Sequence, residues 1–381
     1  MKRVLRIAAL VLVVLVVVTG AYVGNLLTSN TYPRPDADGW ARLKDLPNAR
    51  GESGATVVTG GPAGTADICP QTPCLPQFYV VGGIAGLLGR TSDKVDILNA
   101  GTGEWRAGPS LPDPRHHPGA ASIEGSVYVT GGSRRAKNWK PEKNLWVLRP
   151  GSDRWEDLPD MPEGRMGHGM VAANKKLYVI GGRGDSSRVL IYDRTTGWTE
   201  GAAMPQKRDH LGAVLVGTRI YAIGGRDSRI LDRVDIYDIA TDTWTEGPKL
   251  PQPTSGMAAE LLSDGRIHVV GGEDPGTIGG HVIDRHFVLD PATGTWSRGP
   301  SALLAVHGAA VDEVAGLLVI AGGARRQGVL SIVAWTGVTQ RFNPREAPAS
   351  QEPAPTPSPS PSPTPSPSGS TPAPAGSLPG D

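Results

Sequence analysis

Six stretches decide the fold: Phe78-Tyr-Val-Val-Gly82-Gly83, Val127-Tyr-Val-Thr-Gly131-Gly132, Leu177-Tyr-Val-Ile-Gly181-Gly182, Ile220-Tyr-Ala-Ile-Gly224-Gly225, Ile267-His-Val-Val-Gly271-Gly272 and Leu317-Leu-Val-Ile-Ala-Gly322-Gly323. Each is a short apolar run ended by a glycine pair, and successive copies lie 49, 50, 43, 47 and 51 residues apart. A polar loop follows each pair, then a second apolar run such as Val234-Asp-Ile-Tyr-Asp238, a turn such as Ala240-Thr-Asp-Thr243, and a tryptophan. A period of that length, with room for about four short strands, predicts propeller blades and excludes βαβ units.

The tryptophans keep register with the glycine pairs. Trp105, Trp155, Trp198, Trp244 and Trp296 close five of the repeats, and Trp40 stands alone before the first. Seven residues after Trp40, Trp105, Trp155, Trp198 and Trp244 comes a proline. Ten residues on come Arg50, Arg115, Arg165, Arg208, Thr254 and, after Trp296, Val306. Trp40 obeys the register, so the sequence predicts it to be the outer strand of a sixth blade whose other strands come last, around Ala309 to Val314, Leu317 to Ala321 and Leu330 to Trp335. The rival fourth strand is Val338 to Phe342. Exchanging a terminal strand in this way removes open sheet edges. The 51 glycines, 35 prolines and only 3 phenylalanines among 381 residues fit dense turns and short strands.

With its apolar strand, double glycine, Tyr-Asp-type strand and spaced tryptophan, the chain resembles the kelch repeat family over about residues 40 to 345. The resemblance implies an all-β, six-bladed propeller.

The flanks read differently. Residues 1–6 carry Lys2, Arg3 and Arg6, and residues 7–27 form an uncharged run long enough to span a bilayer. This pattern predicts a transmembrane signal-anchor with the amino terminus inside and the remainder outside the cytoplasm, with cleavage near Thr19 or Ala21 as the alternative. Residues 28–39 then serve as a linker. Cys69 and Cys74, the only cysteines, are expected to form a disulfide in an exported protein. Residues 346–381, rich in Pro, Ser and Thr, cannot bury a core and read as a disordered or O-glycosylated tail.

A net charge of +1 gives no reason to expect nucleic acid. No phosphate-loop, zinc-protease or serine-hydrolase motif is present, and no catalytic residue, metal or cofactor is assigned from the sequence. The loops after the glycine pairs and after the tryptophans should open on one face, where basic residues outnumber acidic ones. Arg50, Arg115, Arg165 and Arg208 would ring this mouth, joined by Arg183, Arg226 and Arg325 and by His117 and His210, as a site for an anionic ligand. The competing reading has the four in-register arginines bonding backbone carbonyls. His116, His168 and His307 are read as polar lining of the same entrance. The expected role is therefore a non-enzymatic, membrane-anchored module binding a protein or an envelope glycan, with a structural envelope scaffold as one alternative.

Family resemblance supplies another. The bacterial sialic acid mutarotase is also an exported six-blade kelch propeller, and its chemistry would require an acid and a base beside a bound sugar. Glu52, Asp209 and Glu273, with His117 or His210, are the candidates of the right type. The copper chemistry of galactose oxidase is not expected, because it needs a cysteine cross-linked to tyrosine.

Overall fold

The computed structural model describes residues 33–59, 75–86, 89–136, 139–185, 187–274, 282–326, 331 and 334–348. These residues form six four-stranded antiparallel sheets, with a small three-stranded sheet of Arg50–Gly51, Ile84–Ala85 and Arg90–Thr91 at one end. In each blade the chain runs outward. The fourth blade shows the order: Gly212–Val216 pairs with Arg219–Ile223, that strand with Val234–Asp238, and that with Thr243–Glu246. The innermost strands, Gly54–Val58, Gly119–Ile123, Gly169–Ala173, Gly212–Val216, Ala258–Leu261 and Ala310–Val314, contact one another in a closed circuit around a central channel.

The last blade closes as the register of Trp40 requires, but with a different third strand. Trp40–Arg42 pairs with Thr339–Phe342, which pairs with Leu317–Ala321 and then Ala310–Val314. The expected third strand at Leu330 to Trp335 is corrected. The rival segment is the third strand, and Trp40 the fourth. Trp335 instead forms an isolated bridge to Ala324 on the loop side. Residues 339–342 win because Thr339, Gln340 and Phe342 are all buried there, with Phe342 packed 5.1 Å from the Trp40 ring.

Each blade is joined to the next in two places. The indole N–H of each in-register tryptophan donates to a carbonyl of the preceding blade's outer loop: Trp40 to Pro300, Trp105 to Lys44, Trp155 to Pro109, Trp198 to Pro159, Trp244 to Ala202 and Trp296 to Pro248, at 2.7–3.2 Å. Nearer the axis, the second glycine of each pair donates its N–H to the residue ten places after the next tryptophan. These bonds run from Gly83 to Arg115, Gly132 to Arg165, Gly182 to Arg208, Gly225 to Thr254, Gly272 to Val306 and, across the seam, Gly323 to Arg50. Both glycines of every pair have positive φ, and a Cβ on the first would collide with that same carbonyl in all six blades.

One expectation is not met among the described residues. Among the described residues there is no α-helix, and no helix is long and apolar enough to cross a membrane. The run 7–27 itself lies outside the described residues, as do Cys69, Cys74 and the tail beyond residue 348. Single-pass anchoring, and with it the membrane as partner and the placement outside the cytoplasm, is not carried further.

Trp40 is 2% exposed, whereas the other five in-register tryptophans are half-buried. Trp40→Ala should therefore cost about 3–5 kcal/mol, more than Trp198→Ala, because it opens the seam as well as a cavity. Thermal melting of the two variants checks the ranking.

Candidate functional site

At the channel mouth the backbone itself makes a ring. The residues twelve places after the six tryptophans are Glu52, His117, Gly167, His210, Gly256 and Gly308, and all six have φ between 55° and 62°. Their N–H groups donate in sequence: His117 to the Glu52 carbonyl, Gly167 to His117, His210 to Gly167, Gly256 to His210, Gly308 to Gly256 and Glu52 to Gly308, at 2.6–3.0 Å. Three of the six blades use glycine, for which this conformation is free of strain. Glu52, His117 and His210 occupy it at a cost, of the kind that collects where a side chain is needed at a fixed point.

Those three side chains converge. His117 Nε2 lies 3.0 Å from Glu52 Oε2, and the His117 and His210 rings are 4.7 Å apart. Around them the residues just before the ring positions pair with those just after the glycine pairs: His116 with Ser133, Asp209 with Arg226, Ser255 with Glu273 and His307 with Ala324. His210 Nδ1 is 2.5 Å from Asp209 Oδ1, and Arg226 donates through Nη2 to His210 Nε2 at 3.0 Å. Arg226 also holds Glu273 at 2.6 Å and Asp209 at 3.2 Å, while Ser255 donates to Glu273. His307 Nδ1 sits 3.5 Å from Glu52 and 3.8 Å from Glu273. Burial alone would raise the Glu52 carboxyl, but contact with His117, with His210 and His307 nearby, holds it well below the usual carboxylate range. Asp209 is likewise drawn down to about 2: burial opposes this, and the bond to His210 and the two arginines outweigh it. Burial pushes His210 down, and pushes His116 down to about 4 with help from His117.

Above this cluster Arg183 is nearly half-exposed. It lies 3.4 Å from Asp209 and its guanidinium stacks 5.1 Å from the Trp139 ring centre, whose plane is nearly parallel to His210. Arg325 is half-buried in the corresponding loop of the last blade, where burial lowers its basicity.

The four in-register arginines are elsewhere. Arg50, Arg115, Arg165 and Arg208 are 0–1% exposed. Arg50 donates to the carbonyls of Gly82 and Val80 and pairs with Asp96; Arg208 donates to Gly224 and Ala222 and pairs with Asp235. Arg165 reaches Gly181 and Glu163, and Arg115 reaches Asn144 and lies 4.5 Å over Trp146. Thr254 makes the equivalent bond to Gly271 in the fifth blade. Arg50, Arg165, Arg208 and Thr254 hold glycine carbonyls of the pairs, and all four arginines are buried rather than free to line the mouth, so the anion ring expected of them is corrected. Of the expected ligand-binding residues, His117, His210, Arg183 and Arg226 are brought together.

Below the ring the channel opens into a cavity of about 400 Å³ lined by the inner strands. Two carboxyls absent from the sequence-derived list face it, Glu260 and Asp312, at the same register position of adjacent blades. Enclosure by protein, then the Asp312 carboxyl, raise Glu260 well above its ordinary range, and burial raises Asp312 to about 7 even though it accepts backbone N–H bonds from Val57 and Glu313.

Residues 120–323 match the family model described as the KLHDC2/KLHL20/DRC7 Kelch-repeats domain. The chain belongs to the kelch-repeat family. Two curated relatives agree over shorter stretches of this kelch protein: an F-box/kelch-repeat protein of Arabidopsis thaliana, 38% identical over 69 residues (17% of this chain, 19% of the relative), and human Kelch-like protein 35, 32% identical over 72 residues (19% and 12%). The chain thus spans under a fifth of either relative's length. Among solved structures, that of YjhT shares the fold with a TM-score of 0.63 and 16% identity, over 81% of this chain and 99% of the other. That likeness is one of fold; the mouth carries carboxylates and imidazoles in place of the expected arginine ring, and the expectation of a non-enzymatic binding module is not carried further.

Two predictions follow from the placement of charge. Arg208→Ala leaves Asp235 buried and should cost about 3–5 kcal/mol, whereas Arg183→Ala should leave melting within about 0.5 kcal/mol of the parent. Glu260 holds its proton in the folded chain at pH values where the unfolded chain has lost it, so its contribution is present below the unfolded pKa and is lost as pH rises toward the folded one. Glu260→Gln keeps the acceptor for the Leu261 N–H and removes this titration. Its melting temperature relative to the parent should climb as pH rises above the ordinary glutamate range.

Proposed function

We propose that this kelch propeller is a sugar mutarotase acting on an acidic, sialic-acid-like sugar at the channel mouth. The observation that supports it most is the placement of one carboxylate and two imidazoles on strained backbone, where the other blades have glycine. Mutarotation requires proton removal from the anomeric hydroxyl together with proton delivery to the ring oxygen. Glu52, ionised through its contacts with the histidines, takes the first proton. His117 gives the second. The ring C–O bond breaks as the carbonyl forms, rotation exposes the other face, and reclosure reverses both transfers.

Arg226 is committed to Asp209, Glu273 and His210, so it fixes the cluster and is a positioning residue. Arg183, positioned over Trp139 with about half its surface free, is the guanidinium available for a substrate carboxylate. Trp139 adds an apolar wall for the sugar ring.

Anomer interconversion followed by NMR tests the reading. The parent protein should accelerate it, Glu52→Gln should reduce the catalysed rate about 100-fold or more, and Arg183→Ala should weaken the apparent affinity for the acidic sugar about tenfold. Interconversion at the uncatalysed rate with the parent protein overturns the proposal.

A further inference from the structure

We propose that Glu52, His117 and His210 also form a binding site for a divalent transition cation of the zinc type. The inference is independent of the mutarotase reading, although the same side chains serve both. One ligand atom from each residue lies within 4.8 Å of the other two. The donors around a tetrahedral zinc stand roughly 3.4 Å apart, so closure needs a contraction on the order of an ångström, within reach of small side-chain rotations. Two imidazoles and one carboxylate, with the remaining positions open, are a donor set suited to zinc and its first-row neighbours.

Three further features point to an ion. His117 is 5% exposed, and its Nε2 has no hydrogen-bond partner although it is directed at Glu52. His117 Nδ1 lies 2.5 Å from His116 Nδ1, and the tautomer that donates this proton to His116 leaves Nε2 as a free lone pair. His210 is oriented in the same sense, with Asp209 accepting from Nδ1 and Nε2 turned inward, which is the carboxylate–histidine arrangement that steadies metal ligands. The charge balance is also suitable: Glu52, Asp209 and Glu273 face Arg226 and Arg183. Finally, Gly167, Gly256 and Gly308 put no side chain into the rest of the coordination sphere.

Arg226 is the opposing element. Its Nη2 occupies the His210 lone pair at 3.0 Å, and its charge repels a cation. An ion must displace that contact while Arg226 keeps Glu273 and Asp209. Removing the guanidinium should therefore tighten ion binding, the reverse of what a loosened fold or adventitious surface histidines would give.

The test is calorimetric titration of the chelator-treated full chain with zinc chloride, repeated with cobalt(II) and followed by its visible absorption. The parent should bind one equivalent. Glu52→Gln and His117→Ala should each weaken binding about 100-fold or more, and Arg226→Gln should tighten it about tenfold. His210→Gln serves as a further ligand variant if His117→Ala does not fold, with melting recorded for each. Unchanged affinity in the ligand variants, or no binding by the parent at about 1 mM ion, overturns the proposal. Because binding is read without sugar turnover, failure here leaves the mutarotase reading standing, and failure of that reading leaves this one standing.

Discussion

One backbone hydrogen bond, from the second glycine of each pair to the next blade, sets the geometry on which the molecule depends. The carbonyl that accepts it lies where any Cβ on the first glycine would be. Blade can therefore meet blade at this distance only if both residues lack side chains and both adopt positive φ. Repeated six times and closed from Gly323 to Arg50, the bond brings the inner strands to one radius. Arg50, Arg165 and Arg208 extend the same joint by binding glycine carbonyls, and the charges of Arg50 and Arg208 are matched by Asp96 and Asp235 in the interior.

That radius produces the functional ring. With the inner strands held in place, the residues preceding them are close enough to hydrogen-bond around the axis as a closed hexagon, and each must take the left-handed conformation to do so. Glycine meets this demand without strain. Where Glu52, His117 and His210 stand instead, backbone strain is exchanged for three chemically active groups with little freedom to move. Positions one residue earlier and in the post-glycine loops supply Asp209, Glu273, Arg226 and His307, so a second circle of charge orients the first.

The channel is consequently graded. Its mouth holds ionised carboxylates against imidazoles and guanidiniums, whereas Glu260 and Asp312 below it face a protein-lined cavity where burial makes them keep their protons to higher pH. The ionised groups are thus gathered at the rim, where Arg183 lies over the Trp139 ring.

By itself the sequence determined the blade number, the glycine pairs, the tryptophan register and the closing role of Trp40, because each follows from a repeat whose period is written in the chain. The ring was not read from the sequence, although the twelfth residue after each tryptophan is Glu52, His117, Gly167, His210, Gly256 or Gly308, because the register was followed only as far as the tenth. Only the tertiary structure decided what the in-register arginines do, since a Pro-x-x-Arg spacing reads the same whether the guanidinium turns inward to a carbonyl or outward to a ligand. It also decided that Thr339–Phe342 fills the last blade and that Glu260 and Asp312 share the channel. These outcomes depend on which surfaces meet across the axis and across the seam, between residues dozens to hundreds of positions apart, and no local pattern records such a meeting.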